Sequence, residues 1–118
     1  MALFPSSKRG GGTDYSTTEV DTGVKWIDGK TIYRKVIPFG KMPNAALKSV
    51  AHGITGIDKV IDQWGFGLLG SNYTVFPYVT FNSDYNVSLF STATNVCIET
   101  KQNRSGVDAW VIMEYTKS

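Results

Sequence analysis

Cysteine and histidine each occur once in this chain of 118 residues, and neither sign of charge dominates. A lone Cys97 leaves no intrachain disulfide, and its setting, Val96-Cys97-Ile98, is that of a small buried hydrophobe rather than a reactive thiol. With one histidine there is no His and Cys spacing suited to zinc, and no acidic cluster resembles a calcium loop, so no metal and no cofactor is expected. Twelve basic side chains against ten acidic ones give a net charge of +2. The basic residues that do cluster are Lys8-Arg9 and Arg34-Lys35, scattered charge that serves solubility rather than nucleic-acid binding. No apolar run reaches bilayer length. After Met1-Ala2-Leu3-Phe4 the chain turns to Pro5 and polar residues, which leaves no signal-peptide core. Neither nucleic acid nor a membrane is expected as a partner, and a chain this poor in cysteine fits folding in a reducing cytoplasm.

Residues 1–14 read as an arm and residues 15–118 as a single domain. Ser6-Ser7-Lys8-Arg9-Gly10-Gly11-Gly12 holds too little apolar surface to offset its ordering entropy, so a flexible tether is expected. Ahead of the tether stand Leu3, Phe4 and Pro5. With Lys8 and Arg9 they read as a hook for another protein, or as an unstructured terminus with chance apolar residues.

From Thr22 onward the pattern is mostly β. Asp28-Gly29 between two strand-like runs predicts a two-residue type I′ hairpin, which pairs Trp26 with Thr31 and Val24 with Tyr33 and sets Trp26 and Tyr33 on one face. Pro38 predicts the end of the second run. Further strands are expected at Leu47 to His52, Phe66 to Leu69, Tyr73 to Phe81, Tyr85 to Thr92, Asn95 to Lys101 and Val107 to Thr116, separated by turn clusters. In the last of these Val107, Ala109, Val111, Met113 and Tyr115 alternate onto a core face. That arrangement leaves Trp110 and Ile112 in need of cover, for which a neighbouring subunit is one source. Between Thr55 and Trp64 the period changes: Ile57, Val60, Ile61 and Trp64 fall on one helical face, Thr55 and Asp58 resemble a capping box, and Gly65 offers a stop. Together these signals predict an all-β fold, an antiparallel β-sandwich or jelly-roll-like single domain with one short helix and the flexible N-terminal arm.

Motifs for chemistry are weak. Gly65, Gly67 and Gly70 spell G-x-G-x-x-G, but a dinucleotide site needs a strand before the glycines and a helix after them, and here that order is reversed. The glycines fit tight backbone packing better. A Ser, His and Asp set would depend on His52, whose apolar surroundings suit a hydrogen-bonded structural residue, so no enzyme is expected. Asp58 and Asp62 read as a solvated surface, and the sequons at Asn72, Asn86 and Asn103 mark turns and strand edges. Large aromatic rings are more numerous than so small a core holds. Tyr73, Tyr78, Tyr85 and Trp110 are therefore expected at the surface or in subunit contacts.

The order of several short segments carries a resemblance. Tyr15-Ser16-Thr17-Thr18-Glu19 leads into Trp26-Ile27-Asp28-Gly29-Lys30-Thr31-Ile32-Tyr33; Val50-Ala51-His52-Gly53-Ile54 and Ile57-Asp58 follow, and Glu114-Tyr115-Thr116-Lys117 stands near the end. The set, spread over residues 15–117, resembles the small β-modules of fibre proteins in tailed bacteriophages, crAss-like phages among them. The resemblance implies a virion protein that forms homo-oligomers, most often trimers, and meets the host surface through many weak contacts. Without a long shaft in its 118 residues, the chain fits a short head fibre or capsid decoration protein held to the particle by its arm. A carbohydrate-binding adhesin module of a tail fibre is the alternative, with a host glycan as its partner.

Overall fold

The computed structural model describes residues 14–118. Eight strands follow one another: β1 (Val20–Lys25), β2 (Thr31–Lys41), β3 (Leu47–Ala51), β4 (Ile57–Leu69), β5 (Asn72–Phe76), β6 (Val87–Ser91), β7 (Asn95–Thr100) and β8 (Asp108–Lys117). They form a five-stranded sheet in the order β1-β2-β8-β4-β5 and a three-stranded sheet in the order β3-β7-β6. The fold is all-β and sandwich-like with antiparallel sheets, as the alternating apolar runs and regular turns predict. Its helical content among the described residues is a 3-10 turn at Ser83–Tyr85. The arm residues Leu3, Phe4, Pro5, Lys8 and Arg9 lie outside the described residues.

Two compact units share the chain. The first takes residues up to Val36, then Gly56–Gln63 and Ile112–Ser118, while the second takes Ile37–Thr55 and Trp64–Val111. β2, β4 and β8 contribute to both by covalent continuity.

The first unit begins with the β1–β2 hairpin, whose turn is one residue longer than predicted. Trp26 N–H donates to Lys30 O and Gly29 N–H to Trp26 O, each at 2.9 Å, and Lys25 pairs with Thr31. The loop is therefore Ile27-Asp28-Gly29. Gly29 alone takes positive φ, at 87°, while Asp28 accepts the Lys30 N–H at 2.9 Å. A three-residue loop of this kind spares Asp28 the left-handed conformation that a type I′ turn demands. A second irregularity at Gly23, φ 78°, shifts the register again, so that Asp21 rather than Val24 lies opposite Tyr33. Tyr33 finds its ring partner in Tyr115, 6.1 Å away between centroids.

No helix forms over Thr55–Trp64; these residues lead into and along β4. Val60, assigned to the buried helical face, is 38% exposed, and Gly65 is an interior strand residue rather than a stop. The reason lies in the strand's own alternation. Its most enclosed positions include Gln63, Gly65 and Gly67, a polar residue and two glycines that carry no apolar period of two. Close packing explains the glycines in the second unit: a Cβ on Gly65 would lie 2.8 Å from the Trp110 carbonyl oxygen, and one on Gly67 2.5 Å from Val107 Cγ1.

β2 runs through Pro38 instead of ending there. Val36 N–H donates to Ser16 O at 2.8 Å, on the side of β2 away from β8. Two residues on, the proline nitrogen takes that same side, past the last β1 pairing at Arg34, so no ladder bond is lost.

β8 follows its predicted alternation: Val107, Ala109, Val111, Met113 and Tyr115 are all buried. Cover for the opposite face comes from within the chain. Ile112 is 4% exposed, and Trp110 stacks on Phe66 at 5.3 Å with the planes 19° apart. The second unit also holds β7, where Val96, Cys97 and Ile98 are buried in succession at the middle of the smaller sheet.

Candidate ligand cleft

Three of the four aromatic residues singled out from the sequence meet at one cavity in the second unit. Tyr73, Thr74, Val75, Tyr78, Tyr85 and Arg104 line a space of about 380 Å³, within the size range of small-ligand sites. Trp110 is not among them; its ring packs on Phe66.

Each wall has a local cause. Leu69 pairs with Asn72 across a two-residue Gly70-Ser71 loop, where Gly70 takes the positive φ of 61° that a type II′ turn asks of its first central residue. β5 thereby becomes the last strand of its sheet, with Tyr73 and Val75 on its exposed face and Phe76 buried on the other. Past Phe76 the strand stops at Pro77, which has no N–H to offer, and Tyr78 exchanges two backbone hydrogen bonds with Val87, at 3.1 and 2.9 Å. Tyr85 is set by the 3-10 turn. Asn82 Oδ1 accepts the Asp84 N–H at 3.1 Å, Tyr85 N–H reaches Asn82 O at 3.0 Å, and Asn86 Oδ1 accepts the Thr80 N–H at 2.7 Å. The sequon asparagines at 86 and 103 thus hold their own loops in shape.

Arg104 is the wall that reading the sequence missed. It sits in the Gln102–Gly106 turn, where Asn103 Oδ1 accepts from Ser105 N–H at 3.0 Å and from Ser105 Oγ at 2.7 Å. The backbone of Arg104 is pinned at both ends, N–H to Pro43 O at 3.0 Å and C=O from Val107 N–H at 2.9 Å. Its Nη2 donates to Tyr85 O at 2.8 Å, while Nε is buried without a hydrogen-bond partner among the described residues. None of the ion pairs found among the described residues involves this guanidinium. The one signal in the sequence was an arginine held between an Asx-forming asparagine and a glycine, a fixed loop cation rather than a strand-face one.

The rings of the cleft are open to solvent: Tyr73 is 77%, Tyr85 46% and Tyr78 39% exposed. Exposed, held rings of this kind offer flat apolar faces with a polar rim, a surface for stacking and hydrogen bonding.

His52, the residue on which hydrolysis would depend, is committed elsewhere. Its Nδ1 accepts the Ile54 N–H at 3.0 Å, so the proton stands on Nε2, which lies 3.0 Å from Thr92 O. The ring ties β3's exit to the β6–β7 loop. Cys97 is buried with its Sγ 3.2 Å from Ser49 Oγ.

Titratable groups gather in the first unit. Asp58 accepts from Lys59 Nζ at 2.9 Å, Lys30 Nζ at 3.0 Å and Thr116 Oγ1 at 3.2 Å. The hydrogen bond from Lys59, then that from Lys30, holds its carboxyl down at about 2. Asp58 in turn raises Lys59. Tyr115 donates its hydroxyl to Glu19 Oε1 at 2.6 Å, and burial first, then the Glu19 carboxylate, pushes the phenol upward. Carboxylates held as salt-bridge partners and a phenol kept protonated describe structural ties, with charge satisfied by neighbours in the chain.

Compared with protein-family models, curated proteins and solved structures, the chain matches none.

Proposed function

We propose that the chain is a non-enzymatic structural protein of a tailed-phage particle, a short head fibre or capsid decoration protein whose β-module faces outward and contacts the host surface. The observation that carries this reading is the cleft, where three exposed tyrosines, set by a hairpin, a backbone pairing with Val87 and an Asx turn at Asn82, offer a surface suited to contact. Support also comes from the all-β, sandwich-like architecture, which agrees with the fold implied by the resemblance over residues 15–117. The arm would grip the particle through Leu3, Phe4 and Pro5 with Lys8 and Arg9, and the module would act as a homotrimer assembled in the host cytoplasm. Val79 and Phe81, both exposed and outside the cleft lining, supply apolar surface for such subunit contacts.

Two experiments test it. Purified particles from the native source, imaged and analysed for this polypeptide, should carry it at the capsid; its absence from them overturns the reading. Removing residues 1–12 should leave a folded oligomer that no longer joins particles, and normal incorporation of the truncated chain would discard the arm as the anchor. The adhesin reading, in which the module binds a host saccharide, is favoured by the same exposed tyrosines, and it is not exclusive of a place on the particle.

A further inference from the structure

Arg104 gives the tyrosine cleft a chemical preference that rings alone would not. Its guanidinium is held in place from behind by the Tyr85 carbonyl, at 2.8 Å from Nη2, and no carboxylate pairs with it among the described residues. A cation fixed on a rigid loop and short of acceptors meets a planar anion with little further ordering cost. Beside it stand Tyr73, Tyr78 and Tyr85, whose exposed faces suit the C–H faces of a pyranose and whose hydroxyls suit its ring substituents. The cavity, about 380 Å³, has room for a small number of sugar units and lacks the deep apolar enclosure that a hydrophobic ligand would need. Lys101, 3.4 Å from Ser83 Oγ, adds a second positive charge at the Ser83–Tyr85 turn, and Asp84 in that turn is the carboxylate that opposes it.

We infer that this cleft binds an anionic saccharide, a pyranose carrying a carboxylate or phosphate, with Arg104 on the anion and the tyrosines on the ring. The inference rests on the reading of the chain as a host-contacting module and names what it contacts.

The test is a titration of the full chain followed by amide NMR shifts, using a galacturonate oligomer, a 6-phosphorylated galactose oligomer and a neutral galactose oligomer as probes. At least one anionic probe should give saturable shifts at the residues lining the cleft, with affinity about tenfold or more above that of the neutral oligomer. The two anionic probes separate carboxylate from phosphate as the source of the charge. Arg104→Gln should erase the preference for the charged probe while leaving residual binding. Tyr73→Ala, at an exposed site that folding does not depend on, should weaken all binding by about fivefold or more. Equal binding of neutral and charged probes, shifts confined to other surfaces, or no saturable shift with either anionic probe would overturn the inference. A chain present on particles yet silent toward every probe would sink this inference and leave the virion reading standing; a chain absent from particles that still binds would do the reverse.

Discussion

The second unit buries most of the large apolar side chains, and the first carries most of the ion pairs among the described residues. Phe39, Met42, Phe76, Val87, Val96, Ile98 and Val111 are all buried in the second, and His52 and Thr100 are buried among them with hydrogen bonds to backbone. The first unit buries fewer large apolar side chains, Ile32, Ile112, Met113 and Tyr115, and carries five of the six ion pairs among the described residues. There Arg34 joins Glu114 at 2.8 Å and lies over the Tyr15 ring, Lys117 joins Glu19 at 3.2 Å, and Asp58 gathers Lys30 and Lys59. Apolar burial involves no titrating group, whereas exposed pairs are screened by salt and lost when a partner titrates. The cleft lies in the unit that carries one of the six ion pairs among the described residues, and Arg104 belongs to none of them.

Substitutions should separate the two kinds of support. Phe76→Ala, at a ring that is buried and packs close to Gly65 and Gly67, should cost about 3–5 kcal/mol in denaturant unfolding and weaken the cleft-forming strand β5. Gly67→Ala should cost about 1–3 kcal/mol, because its methyl meets both Val107 and Phe76 in a filled space. If either change proves neutral, apolar packing is not what holds the second unit. In the first unit, Tyr115→Phe removes the hydrogen bond to Glu19 and should cost about 1 kcal/mol near neutral pH. Its phenol is raised in the folded state, so the contribution is complete below the ordinary value of 10.0 and is lost as pH climbs above it. Wild type should therefore lose stability in alkali more steeply than the variant. Smallest of all, Lys41→Ala breaks the exposed pair with Asp108 in the second unit and should change stability by less than about 0.5 kcal/mol.

Legibility in the sequence followed apolar alternation rather than the boundary between the units. β8 was readable along its whole length because one face is apolar at every second residue from Val107 to Tyr115. β4 was not, since its enclosed positions include glycines chosen for close approach, while Ile57, Val60, Ile61 and Trp64 imitate a helical stripe. The hairpin was recognised but slipped by one residue, because the Asp28 carboxylate satisfies the Lys30 N–H and so allows a longer loop. At the cleft, an excess of rings pointed to Tyr73, Tyr78 and Tyr85 individually, and only folding could show that they meet. Arg104 carried no periodic signal, being a turn residue whose partner, the Tyr85 carbonyl, is 19 residues away in sequence.

Amide hydrogen exchange at neutral pH and at about pH 3, corrected for intrinsic rates, tests the division most directly. Asp58 sits at about 2 in the folded chain, below its ordinary 3.8, so its contribution is present above that ordinary value and is lost as pH falls from there toward 2. Acid should therefore raise exchange in the first unit, at Thr22, Ile32 and Met113 to Thr116, while β7 and Ala109 to Val111 keep their protection. Loss of protection in β7 first, or in both units together, would contradict a molecule in which acid-sensitive ion pairs gather in one unit and apolar burial in the other.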